Sequence, residues 1–291
     1  MKGLILINAY SSLESFLYQS KRMKAELEDM GVETDIRRND FFAVGIEEGQ
    51  IKSNLSGYDF VIYLDKDMYM SKLIEDAGIR LFNSHKSIRL CDDKMLTHIT
   101  LAKNNIAMPD ALSGLLCYDS DAKISENTVT YIGDKLGYPV IAKESYGSLG
   151  KGVYKADNIG ELRFIMNTLK MKPHFFERYI SSSAGKDVRV IVVGDRAIAC
   201  MQRRSEHDFR SNIELGGRGE KVELSREFED IAIRAAKALG LIYAGVDILY
   251  GEGGKPVVCE VNSNAFFGEI ERVSGINVAR AYAEEIVRLL K

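Results

Sequence analysis

The 291-residue chain has no tryptophan and only four prolines. With so little proline and no Pro/Gly/Ser-rich tract there is no long linker, so any lobes are joined by short hinges. Cysteine is equally thin: Cys91, Cys117, Cys200 and Cys259 lie far apart with no CxxC pair. That excludes a disulfide framework and predicts reduced, mostly buried thiols in a cytoplasmic protein. No apolar run reaches the roughly eighteen residues of a membrane span, and the N-terminal stretch Leu4 to Ile7 is cut by Asn8, so neither a transmembrane helix nor a signal peptide is expected. Neither charge dominates: 39 Lys plus Arg stand against 42 Asp plus Glu, a formal net charge of −3. A nucleic-acid binder is usually strongly basic, and this chain is not.

What is present is a regular alternation of strands and helices. In the first 85 residues the apolar runs Gly3 to Ile7, Val32 to Arg37, Tyr58 to Leu64 and Ile79 to Phe82 alternate with helical patterns at Leu13 to Met30 and near Lys72 to Ala77. Strands apolar on both faces predict a parallel sheet covered on both sides, a Rossmann-like α/β lobe over residues 1–85. It lacks a GxGxxG after its first strand, so a dinucleotide is not expected there. A central α+β lobe is expected over 86–177 and a C-terminal α+β lobe over 178–291. In the central lobe we read helices over Ser125 to Leu136 and Asn158 to Leu169, strands at Pro139 to Lys143, Val153 to Lys155 and Phe175 to Ile180, and a glycine-rich loop between the first two. In the last lobe, Asp187 to Val193 and Arg196 to Gln202 flank Gly194-Asp195 as a hairpin. A helix from Ser225 closes at Gly240.

The segment Tyr243 to Asn262 carries the strongest chemical signal. If Gly253-Gly254 make a two-residue turn, Glu252 faces Lys255 and Asp247 falls opposite Glu260, with Asn262 on the same face opposite Gly245. Like charges so placed repel. Two carboxylates and an amide oxygen are a hard donor set that suits magnesium or manganese; alone, the segment is equally an edge hairpin with solvated acids. Cys259 is expected on the other face, in the core beside Val257 and Val261.

Groups suited to phosphate lie elsewhere. Lys143 ends an apolar strand, and the loop Ser145-Tyr-Gly-Ser-Leu-Gly-Lys-Gly152 follows, bringing bare backbone N–H groups. No GK[ST] occurs, so it is not a Walker A loop. Lys94 leads into this lobe. Arg203 and Arg210 lie in a third cluster, where arginines can clamp a phosphoryl group or an oxyanion, although a charged surface loop has the same composition; His207 is expected at the surface. Tyr179, in Phe175 to Ile180, sits where the second lobe passes into the third, a favourable cleft for a purine. Asp187 could accept from ribose hydroxyls, and it shares a polar strand face with Arg189.

In order along the chain come Asp93-Lys94, Tyr138 to Lys143, the glycine loop, Glu177 to Ile180, Asp187-Val-Arg189, Asp208-Phe-Arg-Ser-Asn212, Gly245-Val-Asp247 and Glu260-Val-Asn262. This series resembles the ATP-grasp ligases, and Asp208 to Gly217 resembles their RimK-like branch of α-L-glutamate ligases. The resemblance covers residues 84–291; residues 1–83 match in architecture only. It implies ATP held by Lys94, Lys143, Glu177, Arg178, Tyr179, Ile180, Asp187, Arg210, Ser211 and Asn212, with Mg2+ or Mn2+ on Asp247, Glu260 and Asn262. Arg203 and Arg210 are the expected catalytic arginines. Two features depart from the branch: Glu214-Leu215 lacks basic residues, and Ser263-Asn-Ala-Phe-Phe-Gly268 stands where glutamate-adding members tend to have Ser-Pro-Gly.

The expected activity is therefore ATP-dependent carboxylate–amine ligation through an acyl phosphate, adding an amino acid such as glutamate to a protein, peptide or small-molecule carboxylate. A D-alanine–D-alanine-type dipeptide ligase and a non-catalytic ATP-binding scaffold stay open. The expected partners are ATP, a carboxylate and an amine, without nucleic acid or membrane; oligomeric state is left open.

Overall fold

Residues 2–82 alternate apolar strands with amphipathic helices, a pattern that closes only as a sheet with helices on its faces. The fold is taken from a computed structural model, which describes every residue other than Leu13 and Leu149 and, for Glu214, the backbone alone. In the first lobe, β1 (Lys2–Ile7), α1 (Glu14–Asp29), β2 (Glu33–Arg38), the hairpin β3 (Val44–Glu47) and β4 (Gln50–Ser53), β5 (Phe60–Leu64), α2 (Met68–Asp76) and β6 (Arg80–Phe82) follow in order. The sheet is parallel, in the order β2-β1-β5-β6. Leu13, placed at the start of the first helix by the sequence pattern, lies outside the described residues. The β3–β4 hairpin was not foreseen; it is mostly exposed and gives no buried alternation to read.

Residues 85–103, which lead from the first lobe to the second, do not form one continuous helix. They make two, α3 (His85–Asp92) and α4 (Lys94–Lys103), divided at Asp93. The Asp93 carboxylate accepts from the N–H groups of Met95 and Leu96 (3.0 and 3.1 Å), capping α4 so that it starts on Lys94. These residues touch the central lobe through Lys94, whose N–H donates to the Ser145 carbonyl (2.9 Å), and through His98, whose ring packs on Phe175. Cys91, Leu101 and Ile106 join the core under the C-terminal sheet.

The central lobe is built from β7 (Ala111–Ser113), α5 (Glu126–Leu136), β8 (Val140–Glu144), β9 (Val153–Ala156), α6 (Ile159–Leu169) and β10 (His174–Arg178), with its antiparallel sheet ordered β7-β10-β8-β9. Val140, Ala142 and Phe176 pack on α5 and α6. Alternation therefore turns Ile141, Lys143, Phe175 and Glu177 to the opposite face. The chain enters and leaves this lobe at one place: the Arg178 N–H donates to the Asp110 carbonyl (2.9 Å), and their side chains pair.

The C-terminal lobe comprises β11 (Lys186–Val193), β12 (Arg196–Arg204), β13 (Arg218–Glu220), α7 (Arg226–Ala238), β14 (Tyr243–Tyr250), β15 (Pro256–Asn262), α8 (Gly268–Ser274) and α9 (Val278–Leu290). Its sheet runs β13-β12-β11-β14-β15. One face, with Val188, Val190, Val246 and Ile248, packs on α7. The apolar part of the other face, with Ile191, Val193 and Tyr243, shares one core with Ile5, Ile62 and Phe82 of the first lobe. The first and third lobes are thus welded together, and Asn83 pins the joint. Its amide donates to the carbonyls of Tyr243 (2.8 Å) and Ser263 (2.9 Å), and its oxygen accepts from the N–H groups of Ile242 and Tyr243.

Candidate active site

The cleft lies between the face of the central sheet turned away from α5 and α6 and the polar part of the C-terminal sheet. Its metal-type residues follow from the β14–β15 hairpin. Asp247 pairs with Glu260 and Gly245 with Asn262, as expected, but by another route. The connection is longer than a two-residue turn: Tyr250 pairs with Pro256, and Gly251 N–H donates to the Lys255 carbonyl (2.7 Å). A β-bulge between Asp247 and Ile248 then inserts one residue on β15 and restores the register. The bulge residue is Cys259. It lines the cleft, with Sγ 3.7 Å from Lys143 Nζ, instead of packing in the core, where Val258 and Val261 lie. Burial pushes its thiol up to about 12 despite the nearby ammonium, so it remains protonated.

Asp247 and Glu260 are not equivalent. Asp247 is buried and accepts two hydrogen bonds from Arg189, Nε to Oδ1 and Nη2 to Oδ2 (both 2.7 Å), while Arg203 Nη2 lies 2.8 Å from Oδ2. Burial alone would raise its carboxyl; the two guanidinium groups hold it below the usual carboxylate range. Glu260 is more open, and its charged neighbour is Lys94, whose Nζ is 3.6 Å from Oε1. The Asn262 Nδ2 has no partner among the described residues. Glu260, Asn262 and the Oδ1 of Asp247, which keeps one open acceptor position, are oxygen donors of the kind a magnesium-type cation takes.

Arg203 is 2 % exposed, and it is fixed by Asp187 through Nε (2.8 Å) and Nη2. Asp187 has each oxygen engaged once by Arg203 and keeps an acceptor position on each, facing the cavity. Only Nη1 of Arg203 lacks a partner among the described residues.

Facing them, Lys143 donates to Glu177 (2.5 Å), and His98 Nε2 sits 3.4 Å from the other Glu177 oxygen. Burial alone would raise the Glu177 carboxyl; the Lys143 charge and His98 hold it below the usual range. His98 went unnoticed in the sequence because nothing near it in the chain marks it as a partner of Glu177. Lys94 Nζ donates to the Gly147 carbonyl (2.5 Å), and Arg210 Nη1 donates to the Gly150 carbonyl (2.7 Å) while also pairing with Asp208. Two cations thus hold the glycine loop down; Leu149, at its centre, lies outside the described residues. Tyr179 stacks edge-on with Phe209 at a 6.3 Å centroid separation. The Arg178 side chain turns away to Asp110, so this residue can offer only backbone to a ligand.

Lys94, Lys143, Glu177, Arg178, Tyr179, Ile180, Asp187, Arg203, Arg210, Ser211, Asn212, Asp247 and Glu260 all line one cavity. Asn262 lines a second cavity, of about 320 Å3, that shares Ser148, Asn212 and Glu260 with the first. Asn8 and Asp65 of the first lobe also line it. Both follow the carboxyl ends of parallel strands, where α/β sheets place ligands, and that was the signal available for finding them.

A family model for the RimK-like ATP-grasp domain matches residues 91–286, which spans both sides of the cleft. The chain belongs to the RimK-like ATP-grasp family. Human N-acetylaspartylglutamate synthase A is 34 % identical to this RimK-like protein over 228 residues, 78 % of this chain and 57 % of that one. The chain therefore spans little more than half of that relative's length. A probable alpha-L-glutamate ligase 1 of Shewanella sp. (strain MR-4) is 31 % identical, with 94 % of this chain and 93 % of that one covered. Among solved structures, the D-alanine–D-alanine ligase of Bacillus anthracis complexed with ATP superposes with a TM-score of 0.75 at 19 % identity, over 100 % of this chain and 97 % of that one. The fold of this RimK-like protein is accordingly the ATP-grasp fold. No helix among its described residues is long and apolar enough to cross a membrane.

Proposed function

We propose that this RimK-like protein is an ATP-dependent carboxylate–amine ligase. The observation that carries the reading is the convergence of Lys94, Lys143, Arg210 and Glu260 on one cavity, with a second cavity lined by Asn262 opening beside Glu260. A carboxylate oxygen of the acid substrate attacks the γ-phosphorus of ATP, the bond to ADP breaks, and an acyl phosphate forms. The amine nitrogen then attacks the acyl carbon, phosphate leaves, and the nitrogen loses a proton to give the amide.

In this reading Lys143, held by Glu177, and Lys94 bind the phosphates. Tyr179 and Ile180, at the exit of β10, border the purine. The glycine loop closes over the reacting groups and excludes water that would hydrolyse the acyl phosphate. Magnesium, held by Glu260, Asn262 and Asp247, would supply positive charge to the triphosphate. Arg203 positions Asp187 and Asp247 and has Nη1 left for charge developing in the cleft. As the loop lies, the nucleotide cavity holds about 100 Å3, against the ~300–1,000 Å3 usual for small-molecule sites, so entry requires the loop to lift.

The relatives' names point to glutamate as the amine and to acids such as N-acetylaspartate as the carboxylate; both substrates of this chain are to be found by experiment. Phosphate release should be screened over free amino acids, dicarboxylic acids and peptide tails with ATP and magnesium, and products identified by mass spectrometry. An amide product equimolar with phosphate is expected. ATP binding with no accepted acid–amine pair would instead make the protein a nucleotide-binding scaffold.

A further inference from the structure

The second cavity contains a buried carboxylate that no cation balances. Asp65 is 9 % exposed, and its partners are neutral: the amides of Asn8 (3.0 Å) and Asn39 (2.8 Å) on Oδ2, and its neighbour's N–H, Lys66 N, on Oδ1 (2.7 Å). The adjacent ammonium does not serve it, because Lys66 Nζ lies 3.2 Å from Asp92. No Lys, Arg or His among the described residues pairs with Asp65. Buried carboxylates are ordinarily paired, and an unpaired one is costly. Burial pushes this carboxyl above its ordinary value.

The surroundings hold it rigidly. Arg38 Nη1 donates to the carbonyls of Asn8, Ala9 and Ser11 (2.9–3.0 Å), and the Asn39 oxygen accepts from the Ala9 N–H (2.8 Å), so the loop behind Asp65 is tied to the strand beside it. In the same cavity the basic groups are already engaged: Arg189 by Asp247 and Lys66 by Asp92. The site has negative charge to offer a ligand and no uncommitted positive charge.

Resting on the ligase reading above, we infer that Asp65 is the receptor for an ammonium group on the carboxylate substrate, which is therefore an amino acid or a short peptide with a free amine. The ammonium belongs to this substrate and not to the attacking amine. An ion pair with a carboxylate favours the protonated form of an amine, and a protonated amine has no lone pair with which to attack. A cavity of about 320 Å3 suits a molecule of one or two residues. Its Glu260 end opens to the nucleotide cleft, where the acid's carboxylate meets ATP.

The test uses hydroxylamine as the amine, so that acyl phosphate is trapped as hydroxamate whatever the natural nucleophile. Amino acids and dipeptides are compared with their N-acetylated counterparts in ATP-dependent hydroxamate formation, and the same pairs are titrated calorimetrically with ADP and magnesium present. For the wild type, kcat/KM at least 30-fold higher for the free-amine acids is expected, with matching selectivity in binding. Asp65→Asn should bring the two classes within about 3-fold and leave ATP affinity unchanged. Equal use of N-acetylated acids by the wild type overturns the inference and leaves the ligase reading intact, even if the variant fails to fold. Selective binding without hydroxamate from any acid removes the ligase reading and keeps the ammonium site. Absence of both removes both.

Discussion

Asp247 and Glu260 face each other across one strand pairing, yet one is committed to arginines and the other opens to the cleft. Their substitutions should therefore fail differently. With its folded pKa held below the unfolded value of about 3.9, Asp247 contributes stability that is fully present above pH ~4 and is lost as pH falls through the folded value. Asp247→Asn removes the charge that two buried guanidinium groups share, so it should cost about 3–5 kcal/mol at pH 7 and flatten the loss of stability between pH 5 and 3. Urea unfolding across that range measures both; a steep acid limb retained in the variant would assign the dependence to Glu177, which is also depressed. Glu260→Gln should leave the urea midpoint unchanged while slowing ATP-dependent phosphate release by about 100-fold or more. A near-normal rate for this variant at low magnesium would remove Glu260 from the proposed metal set.

At the scale of elements, the hairpin shows how much a sequence can disclose and where it stops. The pairing of Asp247 with Glu260 was legible, but through two departures that cancel: the turn is longer than two residues by an offset that the bulge at Cys259 restores. Turn chemistry is written locally in Gly253 and Gly254; the bulge is not, and so Cys259 was placed on the wrong face. Helix starts at Asn158 and Ser225 were readable because capping residues act on their own backbone. Asp65, His98 and Arg189 were harder, since what each touches comes from a distant part of the chain. The glycine loop offers a prediction at this scale. Gly150 has φ +74°, and a Cβ there would lie 2.7 Å from Leu215 Cδ1. Gly150→Ala should therefore prop the loop open, lowering kcat/KM for ATP about 10-fold or more with an unchanged thermal midpoint. Stopped-flow nucleotide binding and steady-state rates would test this, and an unaltered rate would show that closure does not depend on the Gly150 backbone.

Across the whole molecule, the first and third lobes share one core, while the central lobe has its own. Asn83 is the polar fastening of the shared joint. Asn83→Ala would leave two N–H groups and two carbonyls around Tyr243 and Ser263 without their partner, each costing about 1–3 kcal/mol when buried, so a loss of at least about 3 kcal/mol is expected. Chemical denaturation provides the measurement; a loss under about 1 kcal/mol would mean that water or neighbouring groups replace the amide. The central lobe stands in a different relation to the rest. Because Asp110 and Arg178 are clasped where the chain goes out and comes back, the segment between them hangs on the remainder like a cassette with adjoining ends. Cutting it out and joining 109 to 179 through a short flexible bridge should leave the outer two lobes folded, melting in one calorimetric transition, with the lining of the Asp65 cavity, Ser148 excepted, in place and nucleotide binding abolished. The excised cassette could then be exchanged between related proteins, moving Lys143 and Glu177 as one piece while Asp65, Glu260 and Asn262 stay with the outer lobes.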